Sequence, residues 1–197
     1  TELVRHNALF RDKLNNFGVT DHEGNPVPFR IAAANRPKPD RPLQMAVIDV
    51  LADVPAMGYR CYRIEAMDGI AQPPAWKPAA SVVANRFFTL TLDPATGAIR
   101  SLIDRRTGQE LIDASCYFAN ELVLAEEKNP SMEGMVYLTG SEVLGRNFAP
   151  DCILQAGDAL GARLRISGPF LGGRRTQELT LYHQIPRIDF TTRLDGF

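Results

Sequence analysis

The chain has 197 residues, 45% of them hydrophobic and 23% charged, with a formal net charge of -1. That length can bury a core for one large domain or two small ones, in a composition ordinary for a globular protein. So small a net charge argues against nucleic acid or an anionic membrane surface as partner, since either asks for a basic excess or stripe. No apolar run approaches the roughly 18 residues that span a bilayer. The opening Thr1-Glu2-Leu3-Val4-Arg5 carries no signal-peptide pattern, and the absence of an initiating Met points to a cut or processed start. Cys61, Cys116 and Cys152 are widely spaced and odd in number. Without a CxxC pair or a Cys/His cluster they support neither a zinc knuckle nor a disulfide framework, and the expectation is three half-buried thiols in a reducing cytoplasm.

Fourteen prolines and fifteen glycines punctuate short runs rich in Val, Ile, Leu, Phe and Thr, the spacing of an all-β protein. After a strand-like start, Asp21-His22-Glu23-Gly24-Asn25-Pro26 is a turn by its chemistry. Asp and Asn bond their own backbone, Gly takes positive φ, and Pro fixes the exit. Val27 to Ile31 reads as an edge strand, because Pro28 cannot donate to a central ladder. Arg36 to Pro42 reads as a loop and Gln44 to Val50 as the next strand, and a strand is expected over Tyr59 to Ile64. Residues 1–70 thereby fit a small immunoglobulin-like β-sandwich. Residues 71–82, rich in proline, read as a linker, within which Trp76 is expected to plug an interface rather than offer a sugar platform.

From residue 83 the pattern changes to a meander. Phe88, Leu90 and Leu92 share one strand face and Phe87, Thr89 and Thr91 the other. Asp93-Pro94-Ala95-Thr96-Gly97 has the residues of a type I turn with a glycine exit. Ile99 to Asp104 returns, Arg105 to Gly108 turns again, and Gln109 to Ile112 completes the third strand. Further strands are expected over Asn120 to Glu127, Met135 to Thr139 and Ala162 to Ser167, the last ending at Gly168-Pro169. Gly172-Gly173-Arg174-Arg175 reads as a turn with solvated arginines. Two alternating strands, Thr176 to Tyr182 and Ile188 to Leu194, flank the five-residue connection His183 to Arg187.

Reacting groups are hard to find. His6, His22 and His183 lie in three different elements with no metal-ligand spacing, and no catalytic or metal residue is assigned. Glycoside hydrolysis needs two carboxylates about 5 to 9.5 Å apart across one bond. The adjacent Glu126-Glu127 pair points to opposite strand faces. Asp49, Asp53, Asp93, Asp104 and Asp113 are all placed beside turns or strand ends, where a carboxylate caps backbone amides. Neither a GxSxG elbow nor a phosphate loop is present.

Four ordered stretches nevertheless carry a resemblance: Gly24 to Phe29, Pro55 to Tyr62, Asn85 to Leu111, and Gly168-Pro169 through Gln177-Glu178-Leu179-Thr180-Leu181-Tyr182 to Phe190. Together they resemble the C-terminal β-domains of family 38 glycoside hydrolases, the α-mannosidases. The resemblance implies a small sandwich followed, over residues 83–197, by the start of a large sandwich related to galactose mutarotase. In such a protein the reacting carboxylates and the zinc ligands belong to a catalytic barrel and helical bundle. Mannosides, zinc and the protein's own catalytic domain are then the implied partners of the whole polypeptide, and the fragment alone is expected to be inactive. A loop early in the family's large sandwich presents an aromatic side chain to the sugar, and the corresponding place is Ser131 to Tyr137. Tyr137 and Glu133 are thus the substrate-proximal candidates. A truncated sandwich should leave strand edges open, so a homo-oligomer is expected. The rival reading is a stand-alone carbohydrate-binding or structural module. Its lining of exposed aromatics is weakened here because Phe88 and Phe190 take core-like positions.

Overall fold

The computed structural model describes residues 1–35, 41–68, 75–128 and 137–196, with the side chains of residues 11–13 and 137 outside that description. Every sheet pairing described is antiparallel, and the described residues contain no α-helix, only a 3₁₀ turn at Gly145–Asn147. The chain divides into two compact units, residues 1–75 with 157–161, and residues 76–156 with 162–197.

In the first unit, β1 (Glu2–Leu14), β4 (Leu43–Ala52) and β3 (Phe29–Asn35) form one sheet with β4 in the middle. A second sheet pairs β2 (Asn16–Thr20) with β5 (Arg63–Met67). Phe17 and Val19 from β2 share a core with Leu43, Ala46, Ile48 and Val50 from β4, so the two sheets face each other. Phe17 stacks between Phe10 and Phe29, with ring centroids 5.2 and 5.3 Å away. The Asp21 turn forms as its chemistry predicts. The Asp21 carboxylate accepts from the amides of Glu23 and Asn25, and Gly24 has φ of 86°. β3 is an edge strand that starts after Pro28 and runs on to Asn35. The strand expected over Tyr59 to Ile64 is displaced. Residues 59–62 are irregular, and pairing with β2 begins only at Arg63. Met57 with φ of 59° and the Gly58 N to Pro55 O hydrogen bond hold a turn that delays it.

Asp49 corrects a second expectation. It lies inside β4, not beside a turn, and is fully buried. Its register partners are Arg5 on β1 and Arg30 on β3. Arg5 Nε donates to Oδ1 at 2.7 Å and Arg30 Nη2 to Oδ2 at 2.8 Å, so one anion clamps the three strands in register. Burial pushes the Asp49 carboxyl up, but the two guanidinium groups outweigh it and hold the group below its ordinary value.

In the second unit the meander joins β7 (Val82–Ala84), β8 (Phe88–Leu92), β9 (Ile99–Asp104) and β10 (Gln109–Glu110). A five-stranded sheet runs in the order β16 (Ile188–Asp195), β15 (Gly173–Tyr182), β14 (Gly161–Phe170), β13 (Cys152–Gly157) and β6 (Lys77–Pro78). Leu90, Leu92 and Ile99 of the meander bury against Leu164, Ile166, Leu179 and Leu181 of that sheet. Gly97 is required twice over: its φ is 71°, and a Cβ there would lie 2.8 Å from Ile166 Cγ2. Asn85 stitches the layers together, accepting from the amides of Phe87 and Phe88 while its side-chain amide donates to Tyr182 O. β14 does not stop at Gly168-Pro169 but continues to Phe170. β13 begins at Cys152 and the Asp151 amide donates to Ser167 O, so the ladder on that side ends before Pro169 and the missing N–H leaves no gap. Cys61 and Cys116 are exposed rather than half-buried, and Cys152 is intermediate.

Candidate functional site

The implied sugar-facing stretch lies between β11 (Val123–Lys128) and β12 (Tyr137–Leu144), a separate two-stranded hairpin. Glu133 lies outside the described residues. Tyr137 opens β12 opposite Lys128, and its side chain also lies outside them. The expected strand from Met135 to Thr139 is described only from Tyr137, and from there it runs on to Leu144.

At the other end of the hairpin Val123 faces Leu144, and the Glu121–Arg146 ion pair lies just beyond it in sequence on both strands. Arg146 grips Glu121 with both arms of its guanidinium, Nε to Oε1 at 2.7 Å and Nη2 to Oε2 at 2.5 Å. The amides of Arg146 and Phe118 donate to the same carboxylate at 3.1 and 3.0 Å. The Glu121 side chain is only 2% exposed. Burial pushes its carboxyl up, yet the Arg146 guanidinium and the two amides outweigh burial, holding it below the ordinary glutamate value. Arg146 also donates to Cys116 O at 2.7 Å and lies 4.2 Å from the Phe118 ring centroid.

The second cation is Arg175. It was expected to be solvated in a turn, but it lies inside β15 and is 3% exposed. The physical reason is alternation. Arg175, Gln177, Leu179 and Leu181 share the inward face of β15, and the first two reach past the apolar core to its polar end. Arg175 Nη1 donates to Gly145 O and Nη2 to Phe148 O, each at 2.9 Å, and Gln177 Nε2 donates to Asn120 O at 2.6 Å. Burial lowers the Arg175 pKa, partly offset by the negative Glu121. Gly145 admits this approach, because a Cβ there would stand 2.6 Å from Arg175 Nη1. The Gly145 amide donates to Leu122 O at 2.7 Å, closing the hairpin base. Further along, Tyr117 Oη donates to Glu142 and Thr139 Oγ1 to Glu126. The Glu142 hydrogen bond raises the Tyr117 hydroxyl above its usual pKa.

Both Glu121 oxygens are engaged, by the Arg146 guanidinium and by two backbone amides. Asp93, Asp104 and Asp113 cap backbone amides as their sequence context predicts. Among the described residues no group of three His, Cys, Asp or Glu could hold a metal ion. A cleft of about 320 Å³ in the same unit is lined by Ala79, Ala80, Pro94, Ala95, Pro150 and Cys152 among others. Its one charged side chain, Asp151, is engaged by Arg174. Trp76 is half-buried, with Arg165 4.1 Å and Arg163 5.2 Å from its ring, and both arginines are held by Glu178.

No family model matches the sequence, and no curated protein matches it. In structure, the chain matches a region of a protein in the glycosyl hydrolase family 38 from Enterococcus faecalis, with a TM-score of 0.58 at 13% identity. That match covers 99% of this chain and 29% of the other, so the residues here correspond to under a third of that protein. At this identity the likeness is one of fold.

Proposed function

We propose that the chain is a non-catalytic β-domain region of a family 38 α-mannosidase. A small immunoglobulin-like sandwich in the first unit precedes the N-terminal part of a galactose-mutarotase-like sandwich. The expected linker over 71–82 is shortened, because β6 (Lys77–Pro78) and the start of β7 at Val82 already belong to the sheets of the second unit. The observation that carries this reading is the fold match to a glycosyl hydrolase family 38 protein, which covers 99% of the chain. The chain's role is to support the catalytic barrel and shape the mannoside pocket. The anchored base of the β11–β12 hairpin supports this role, because a loop that contacts substrate gains precision from a rigid scaffold. Retaining, zinc-dependent hydrolysis of α-mannosides belongs to the whole polypeptide, through residues outside this chain.

The test joins the coding sequence on either side of residues 1 and 197 and assays the product on an aryl α-mannoside. Zinc-dependent hydrolysis by the longer polypeptide, with none by the 197-residue chain, is the expected result. Within the longer polypeptide Tyr137→Phe should raise KM or lower kcat, and unchanged kinetics would remove Tyr137 from the pocket. Tight binding of mannose oligosaccharides by the 197-residue chain alone would instead favour a free-standing carbohydrate-binding module.

A further inference from the structure

The connection from β4 to β5 carries six residues without a charge, Val54-Pro55-Ala56-Met57-Gly58-Tyr59, and all six are exposed. Surface turns ordinarily draw on Asp, Asn, Ser and Gly. Here Val54 is 48% exposed, Tyr59 86% and Met57 wholly so. The Gly58 amide donates to Pro55 O at 3.1 Å, and with φ of 59° at Met57 this is a type II turn. Such a turn calls for glycine or asparagine at its third position, where Met57 stands. Gly58 comes one place later and serves another need, since a Cβ there would lie 2.8 Å from Pro55 Cγ. Among the described residues two others besides glycine have positive φ, and each has its reason. Asn120 is of a type that tolerates the left-handed region. Leu171 opens the two-residue loop between β14 and β15, where a positive φ matches the twist of paired strands. Neither reason covers Met57, because β4 and β5 lie in different sheets. The chain holds an apolar side chain on strained backbone and leaves it in solvent.

The base of the turn is fixed. The Asp53 amide donates to Tyr62 Oη at 2.7 Å, and Arg60 pairs with the Asp53 carboxylate at 3.6 Å. An apolar tip of Val54, Met57 and Tyr59 above one ion pair has the apolar centre and polar rim of a docking surface, with Met and Tyr the types enriched there. A convex tip needs a concave apolar partner. A second copy offering that socket would make a head-to-tail contact, which gives rings or filaments and not a simple dimer. The chain corresponds to 29% of the family 38 protein it matches, so most of such a polypeptide is left to supply the socket. We infer that the 54–59 turn docks into an uncharged apolar socket on the remainder of the same polypeptide, with Met57 and Tyr59 as its anchors. This rests on the family 38 reading for the existence of that remainder.

Hydrogen peroxide reports the contact, because it converts Met to its sulfoxide where it can reach the sulfur. Followed by mass spectrometry, Met57 of the 197-residue chain should oxidise as fast as a free methionine. In the longer polypeptide it should oxidise at least tenfold more slowly. Tyr59→Asp in the longer polypeptide should restore the fast rate, since it would push a carboxylate into an apolar socket. Met57→Asn, which suits the positive φ, should leave the thermal midpoint of the 197-residue chain no lower and reduce that of the longer polypeptide. A longer polypeptide that hydrolyses an aryl α-mannoside yet oxidises Met57 at the fast rate overturns the docking and leaves the family 38 reading standing. Protection that survives Tyr59→Asp overturns it as well. So does protection of the 197-residue chain that grows with its concentration, which would make a second copy the occupant. Protection of Met57 in a longer polypeptide without hydrolysis would keep the socket and remove the α-mannosidase reading.

Discussion

Each unit sets a buried carboxylate side chain near two arginines, and the two groups are arranged in opposite ways. In the first, Asp49 sits at the centre and both arginines bond to it, with Arg5 65% exposed and Arg30 11% exposed. In the second, Glu121 takes one arginine only, and Arg175 is buried against neutral backbone carbonyls. A central anion between two flanking strands enforces register, which is a structural task. A buried cation spent on the carbonyls of Gly145 and Phe148 fixes the turn that follows β12 against β15. The difference is between a charge that ties three strands to one another and a charge that ties one strand to the turn after β12.

The largest effect should come from removing the central anion. Asp49→Ala leaves Arg30 buried without its main counter-charge, and a broken buried ion pair costs about 3 to 5 kcal/mol. Urea denaturation should show that loss, with faster amide exchange in β1, β3 and β4 and none in residues 142–148. A smaller loss, about 1 to 3 kcal/mol, is expected for Arg175→Met, which removes the guanidinium donor from Phe148 O and leaves Gly145 O with the Phe148 amide alone. Its exchange pattern should be the mirror image, with Gly145 and Phe148 loosened and β4 untouched. If both variants loosened the same amides, the division of tasks would fail.

Acid sharpens the comparison further. Asp49 and Glu121 are each held below their ordinary values of 3.8 and 4.5. A carboxylate with a depressed folded pKa contributes its stability fully above the unfolded value and loses it as pH falls through the folded one. Stability should therefore be flat above about pH 5 in this respect and fall on acidification, with Glu121 beginning to contribute to the loss at higher pH than Asp49. Glu121→Gln should flatten the upper part of the slope and Asp49→Asn the lower part, and parallel curves for all three proteins would remove these carboxylates as the cause. The smallest effect expected is at Trp76, the sole tryptophan. Arg165→Ala should cost about 0.5 to 1 kcal/mol and shift the Trp76 emission, because one guanidinium leaves its ring.

Local chemistry was legible in the sequence, and partnership across the chain was not. The Asp21 and Asp93 turns, the Phe88–Leu90–Leu92 face, and the five-residue connection before Ile188 follow from residues within one or two turns of each other, and the structure holds them as read. Asp49 failed because its partners are 44 and 19 residues away. Nothing in Ile48-Asp49-Val50 says that both flanking strands offer arginine at the same height. Arg175 failed for the related reason that Gly172-Gly173 reads as a turn and drags the next residues with it, whereas the strand begins at Gly173. Phe190 alternates as a core residue does, yet it is 44% exposed, because alternation reports a face and not whether anything covers it. Of the candidate site, the sequence supplied the position of the hairpin through its strand pattern. The Glu121–Arg146 grip at its base spans 25 residues and leaves no local trace.

The three free cysteines have a practical use. Cys61 lies in the first unit and Cys116 in the second, and both thiols are exposed. With Cys152 changed to serine, the natural chain carries one dye-accepting handle on each unit. Fluorescence energy transfer between them would turn the separation of the two units into a directly readable signal.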